Sequence, residues 1–190
     1  SITEDELKAM VSLGAEEGSL EKQEKELIEN ILEFNDIQVV EVMTPRVDIK
    51  ALEAGATVSS AAKYFWKHHH SRLPVYKENI DSIIGILSMK ELLNQFSKKN
   101  LNATLESLEL LPALDIPTTR KINHLFKDFQ KKHIHMAIVI DEHGATAGLV
   151  TLEDLLEEIV GEIEDEYDVE ENLITKIDAK NFLIKGKTPI

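Results

Sequence analysis

Cysteine is missing from the 190 residues, which excludes disulfides, thiolate metal sites and cysteine nucleophiles and is compatible with a reducing compartment. Basic residues are few: 21 Lys and Arg stand against 35 Asp and Glu, a formal charge of -14. That balance argues against sequence-independent nucleic-acid binding, because most of the surface would repel a phosphate backbone. An anionic ligand would need a local basic pocket. No apolar run approaches the roughly 18 residues required to span a bilayer, and Ser1 to Gly18 lacks the basic start and apolar middle of a signal peptide. The chain is therefore expected to fold in water. Nor is there a Ser-His-Asp arrangement, a Gly-rich phosphate loop or an isolated carboxylate pair, so no enzyme is predicted.

What is present is a duplication. Arg72 to Leu93 and His135 to Leu156 lie over one another without a gap at an offset of 63 residues. RLPVYKENIDSIIGILSMKELL matches HMAIVIDEHGATAGLVTLEDLL in its apolar strand, polar turn, Gly-apolar-apolar-Ser/Thr step and closing Leu-Leu. Each repeat reads as strand, helix, strand, strand, helix. The first comprises Asp48–Leu52, Val58–His69 with Ala62, Phe65, Trp66 and His69 inward, Leu73–Tyr76, Ile83–Leu87 and Met89–Phe96. The second comprises Leu111–Ile116, Ile122–Phe129 with Leu125 and Phe129 inward, Met136–Ile140, Thr146–Val150 and Leu152–Ile163, with a hairpin turn at Asp141–Gly144. Units this small bury only part of their apolar faces, so an α+β body of two repeats packed sheet to sheet is predicted, with both copies of a site facing a shared cleft.

Ahead of the repeats, Thr3 and Glu6 form a capping-box pattern, Gly14 and Gly18 are expected to break that helix, and Ser19 to start another whose apolar face holds Leu27, Ile28, Ile31 and Leu32. Behind them, Leu173–Ile177 and Phe182–Ile184 read as strands joined across Asp178–Asn181. A two-stranded hairpin is marginal by itself, so the expectation is that the chain was cut from something longer.

Several residues suit ligand chemistry. Thr151 and Asp154 sit at a strand-to-helix corner, with Ser88 and Glu91 as their first-repeat counterparts. The spacing taken alone favours a helix cap; the other reading is a hydroxyl and carboxylate meeting the vicinal hydroxyls of a ribose. In Met43-Thr44-Pro45-Arg46, Pro45 either ends a helix or stiffens a loop that holds Thr44 and Arg46 over the cleft. Arg72 precedes Pro74, whose place in a strand demands a sheet edge, where Arg72 could reach a phosphate or merely be solvated. His68 to His70 are consecutive and His133 and His135 lack a partner at four-residue helical spacing, which argues against a zinc cluster and for packing and hydrogen bonding. The acidic run from Glu153 to Glu171 keeps an apolar face at Leu155, Leu156, Ile159, Val160 and Ile163 and reads as a solvated helix flank.

VMTPR, SRLPVY, GILSMKELL, HMAIVIDEHG and above all GLVTLEDLLEEIVGEIEDEYD resemble the tandem cystathionine-beta-synthase (CBS) domain pair of the CorC and HlyC family, the hemolysin-related magnesium and cobalt efflux proteins. The resemblance implies linker helices over 1–37 that follow a transmembrane DUF21 domain, CBS repeats over 38–100 and 101–168, and the start of a truncated transporter-associated domain over 169–190. It implies a regulatory module on the cytoplasmic side of a membrane ion transporter, homodimeric through the CBS pair, that binds ATP or AMP, with Mg2+ as a companion of ATP. By that resemblance Thr151 and Asp154 would hold the ribose, and Thr44 with the backbone around Met136 and Ala137 would border the adenine. Arg72, assisted by Arg46 or His70, would meet the phosphates. One competent site around Thr151 and a degenerate copy at Ser88 are expected, since Glu91 is longer than Asp154. The alternative is a structural dimerisation unit with vacant clefts.

Overall fold

A computed structural model describes residues 2–161 and the strands 174–176 and 182–184. Helix α1 (Glu4–Glu16) opens on the expected box: the Thr3 amide donates to Glu6 Oε2 at 2.8 Å and the Glu6 amide to Thr3 Oγ1 at 3.3 Å. Gly14 does not break α1. A Cβ there would lie 3.1 Å from Leu20 Cδ1, so the bare glycine lets the following segment fold back upon the helix. The turn comes at Gly18 (φ 74°), and α2 (Lys22–Glu33) starts from a Glu21–Glu24 box rather than from Ser19. On α2, Leu27, Ile28 and Leu32 are half-buried while Ile31 is exposed.

The first repeat follows a short helix α3 (Val39–Val42) and a two-residue strand β1 (Thr44–Pro45). Where a strand over Asp48–Leu52 was expected, a 3-10 turn spans Arg46–Asp48, because the Ile49 amide bonds back to the Arg46 carbonyl, and strand β2 is only Leu52–Glu53. Then come α4 (Val58–His68), β3 (Arg72–Tyr76), β4 (Ile83–Ser88) and α5 (Met89–Ser97). The inward face of α4 is Val58, Ala61 and Phe65, at helical spacing. Trp66, expected inside, is 81 % exposed, and Ala62 is only half-buried. One residue further along a helix is a rotation of about 100°, so Phe65 and Trp66 cannot share a face.

The second repeat holds β5 (Leu114–Pro117), α6 (Ile122–Lys132), β6 (Met136–Ile140), β7 (Thr146–Thr151) and α7 (Leu152–Val160). Leu111, expected to begin β5, makes an isolated bridge to Ile86 instead. The hairpin turn between β6 and β7 is built as expected, with Gly144 at φ 80° and the Asp141 carboxylate accepting from the amides of His143 and Ala145, each at 2.9 Å. Both repeats end their first helix on a histidine at φ 54°, His69 after α4 and His133 after α6. That left-handed cap is the shared structural role of two of the histidines. Ile163 and the acidic residues as far as Glu171 lie outside the described residues, as do the ends of the expected C-terminal strands; β8 (Ile174–Lys176) and β9 (Phe182–Ile184) pair antiparallel.

Two main sheets result, β2-β3-β4 and β1-β7-β6-β5. β3 is a middle strand, contrary to the edge position that Pro74 implied. The conflict resolves locally: β2 pairs only with Val75 and Tyr76, so Pro74 has β4 on one side and no strand opposite. Each repeat has its own aliphatic core, around Phe65 and Leu87 in the first and around Phe129 and Val150 in the second. Between them a third cluster joins Ile86 to Met136, Ile138 and Leu149. The expected sheet-to-sheet α+β pair is thus the architecture observed. Among the described residues no helix is long and apolar enough to cross a membrane.

The inward face of α4 can be tested directly. Phe65→Ala, at 1 % exposure, should cost about 3–5 kcal/mol in urea unfolding. Trp66→Ala should change stability by about 0.5 kcal/mol or less; a larger loss would place Trp66 inside.

Candidate functional site: the cleft between the repeats

The segment entering the first repeat belongs to the sheet of the second. β1 pairs antiparallel with β7, Thr44 opposite Leu149 and Pro45 opposite Gly148. A Cβ at Gly148 would lie 2.5 Å from the Thr44 carbonyl oxygen and 2.7 Å from Met43 Sδ, so only glycine admits this approach. The other half repeats the device. A Cβ at Gly85 would lie 2.7 Å from Leu110 Cβ, where the connection between repeats bridges to β4. These two glycines are the ones shared by the duplicated Gly-apolar-apolar-Ser/Thr steps.

At the end of β7, Thr151 caps α7 in a reciprocal box: its Oγ1 accepts from the Asp154 amide at 3.2 Å, and Asp154 Oδ2 accepts from the Thr151 amide at 2.7 Å. The cap reading and the ligand reading are compatible. These bonds use one carboxylate oxygen and the acceptor side of the hydroxyl, leaving Asp154 Oδ1 and the hydroxyl hydrogen outside the box. Capping therefore orients the two groups side by side at the strand-to-helix corner. The first-repeat corner is different. Ser88 Oγ accepts from the Glu91 amide at 3.2 Å, but the longer Glu91 carboxylate turns along its own helix to accept from Gln95 Nε2 at 2.6 Å and Asn94 Nδ2 at 3.1 Å. Those amide donors hold the Glu91 carboxyl below its ordinary value.

A cavity of about 330 Å³ opens between the repeats in front of Thr151, a volume in the range of small-molecule sites. Six of the sequence-selected residues line it: Thr44, His70, Arg72, Met136, Thr151 and Asp154. Two do not. Ala137 is fully buried in the second repeat's core, and Arg46 lies beside the cavity in a side-chain pair with Asp81. The sequence reading missed Lys50, Asp48, His69, His135 and Glu153 on the same walls. Glu153 could have been found: it adjoins Asp154 in the first turn of α7, and its Oε1 lies 3.7 Å from Arg72 Nη1. Lys50 and Arg72 thus face Asp48, Glu153 and Asp154, two cations against three carboxylates, with three histidines around them. A second cavity of about 360 Å³ lies beyond, walled by Leu111, Pro112, Lys132 and His133 and sharing Arg72, His135 and Met136 with the first. Neither Ser88 nor Glu91 lines it.

Paired β-α-β-β-α repeats with a polar cleft at the α7 corner define the class of tandem α+β repeat domains. The CBS domain model matches residues 39–98 and 115–161. A solved CBS domain of the bacterial CNNM/CorC family Mg2+ transporter superposes with a TM-score of 0.79 at 41 % identity, covering 87 % of this chain and 100 % of that one. The CBS domain of a bacterial CNNM/CorC family Mg2+ transporter in complex with ATP gives 0.70 at 44 % identity, covering 74 % and 99 %. Hemolysin C of Brachyspira hyodysenteriae is 37 % identical over 172 residues, 90 % of this chain and 63 % of that protein. A putative chloroplastic DUF21 domain-containing protein of Arabidopsis thaliana is 40 % identical over 177 residues, 92 % of this chain and 27 % of that protein. The chain therefore belongs to the CBS domain family and is a CBS domain pair of the CorC/hemolysin C and CNNM type. It spans less than two thirds of either relative's length.

The close approach at Gly148 yields a test. Gly148→Ala should push β1 off β7, lowering stability by about 1–3 kcal/mol and speeding hydrogen exchange at the Leu149 amide. Gly55→Ala, where a Cβ would meet nothing within 4 Å, is the control. Unchanged exchange in Gly148→Ala would show that β1 does not depend on the bare glycine.

Proposed function

We propose that this CBS pair is the cytoplasmic regulatory module of a divalent-cation transporter and binds an adenosine nucleotide, ATP or AMP, in the cleft before Thr151. The observation that carries the reading is the convergence of Thr44, Arg72, Thr151 and Asp154, from both repeats, on one cavity of nucleotide-compatible size. Thr151 and Asp154 bind the ribose hydroxyls, Thr44 and Met136 border the base, and Arg72 meets the phosphates with His70 beside it. A relative whose structure was solved in complex with ATP supports the choice of ligand. Magnesium is the natural companion of ATP here, since the lining carboxylates outnumber Lys50 and Arg72 and a polyphosphate would otherwise meet a site of its own sign. Binding favours one arrangement of the repeats, and α2 passes the difference towards the membrane part of the parent protein.

Equivalent faces of the last helices support a homodimer. Leu93 and Phe96 on α5 and Leu156 and Val160 on α7 are 63 %, 45 %, 41 % and 46 % exposed, and Leu93 and Leu156 stand at the repeat offset. Leu93→Glu with Leu156→Glu should move the sedimentation coefficient to that of a 21.4 kDa monomer. An unchanged coefficient would remove these faces from the dimer.

The nucleotide reading is tested by calorimetric titration with ATP, AMP and adenosine, with and without magnesium. A ligand at about one hundred times its dissociation constant should also add roughly 2.7 kcal/mol to stability. Thr151→Ile should abolish binding of all three ligands, because it removes the hydroxyl and adds bulk at the ribose, while Thr151→Ser retains it. Arg72→Ala should weaken ATP more than adenosine; equal losses would take Arg72 out of phosphate binding. No binding of any adenosine compound by the unmodified protein would favour the structural dimerisation unit.

A further inference from the structure

Arg46 stands apart from the cavity lining and is engaged elsewhere. Its Nη2 donates to Asp81 Oδ2 at 2.8 Å, its Nη1 also meets Asp81 Oδ1, and Nη1 donates to the Thr146 carbonyl at 2.8 Å. Asp81 lies on the turn between β3 and β4 of the first repeat, held by an Asn79 side chain that accepts from the Asp81 amide at 2.9 Å. Thr146 is the first residue of β7 in the second repeat and is 2 % exposed. Every polar group of this buried threonine is satisfied across the repeat boundary: its amide donates to Asp81 Oδ1 at 2.8 Å, its hydroxyl to the Ile80 carbonyl at 2.9 Å, and its carbonyl accepts from Arg46. Such a set is directional, unlike the aliphatic contact around Ile86 and Ile138, and it fixes position as well as proximity.

We infer that Arg46, Asp81 and Thr146 form a positioning clamp that fixes the first repeat's turn to the second repeat's β7 and so holds Thr44 on the cleft wall. Thr44 precedes Arg46 on the same short segment and pairs with Leu149 on the strand that Thr146 begins. Arg46 is then a positioning residue that acts on nucleotide through Thr44, and the inference rests on the nucleotide reading for its ligand effect alone. The arginine and the Thr146 amide hold the Asp81 carboxyl down at about 2, so the clamp is charged throughout the neutral range. Asp141, on the β6–β7 turn, adds a further negative charge near Arg46.

The test compares Asp81→Asn, Arg46→Gln, Arg46→Lys and the Arg46→Gln/Asp81→Asn double variant by titration with ATP and with adenosine, and by amide exchange without ligand. Asp81→Asn and Arg46→Gln should each weaken ATP and adenosine by the same factor, about tenfold, as for groups coupled in one network. The double variant should lose no more than either single one. Amides of Thr146 and Leu149 should exchange faster, and Arg46→Lys should restore part of both affinity and protection. Loss of ATP affinity with adenosine unchanged would overturn the clamp and make Arg46 a phosphate ligand, as would losses that simply add in the double variant. If the unmodified protein binds no adenosine compound, the nucleotide reading fails, and the exchange data still decide the clamp: unchanged protection at Thr146 and Leu149 in Asp81→Asn overturns it.

Discussion

The architecture depends on the close passage of one backbone over another at Gly148. β1 precedes the first repeat in the chain yet completes the sheet of the second, and it can do so only where β7 presents no Cβ to the Thr44 carbonyl. Gly85 plays the same part against Leu110 and Leu111. Each repeat is thereby tied to the segment that leads into the other, and the two cores around Phe65 and Phe129 are joined by more than the aliphatic cluster between them. A unit of some 60 residues buries a smaller fraction of its surface than a larger domain does and is marginal alone. Exchange of entering segments removes that weakness, and it creates the cleft in the same step, since Thr44 arrives beside Thr151 only because β1 has crossed over.

Duplication supplied two corners, and one methylene separates their carboxylates. Asp154 is short enough to bond its own cap residue, which keeps the carboxylate at the mouth of the cavity. Glu91 reaches past the corner and takes the amides of Asn94 and Gln95, while Gln95 Oε1 in turn accepts from Asn100 at 2.8 Å. The buried Gln95 needs those partners, because an unsatisfied amide in the interior would cost about 1–3 kcal/mol. The first corner is thus committed to holding its own helix. The second corner caps α7 with part of its hydrogen-bonding capacity and leaves Asp154 Oδ1 outside the box, on the cavity wall.

Periodicity and motif were enough to read the repeat, the order of its elements and four residues of the cavity wall, Thr44, Arg72, Thr151 and Asp154, because these follow from local pattern, whereas His70 and Met136 came only from the family resemblance. What escaped depends on contacts distant in sequence. Asp81 and Arg46 are separated by 35 residues, and neither carries a local signal of the other, so Arg46 was read as a cation over the cleft, available to a phosphate. Phe65 and Trp66 are adjacent aromatics, and hydropathy cannot tell which faces in. Pro74 was read as demanding a sheet edge; the edge exists, but it is made by a two-residue β2 that stops short, and strand length is what pattern determines least well. Gly14 was read as a helix breaker, whereas Leu20 folding against it makes its missing side chain useful. Glu153 was visible but was counted with the solvated flank of α7, since nothing local places Arg72 opposite it.

Helix α7 joins the cleft to the N-terminal helices over a span of nine residues. Its N-terminus carries Thr151 and Asp154, and near its C-terminus the Ile159 carbonyl accepts from Asn30 Nδ2 of α2 at 3.2 Å. A buried Leu155 between the two ends fixes α7 against the second repeat's core, so the helix moves, if it moves, as one piece with that core. A carbonyl in the last turn of a helix lacks an intrahelical donor, and Asn30 supplies one, which makes α2 part of the termination of α7 rather than a neighbour at large. Any ligand that binds more tightly to one orientation of α7 than to another also favours, by linkage, the placement of α2 coupled to that orientation, and by no more than the same free energy. A ligand indifferent to that orientation would shift nothing, however tightly it bound. The size of any such shift is therefore set at the Thr151 corner, by how far a ligand's contacts there differ between two orientations, and α2 receives no more than that difference.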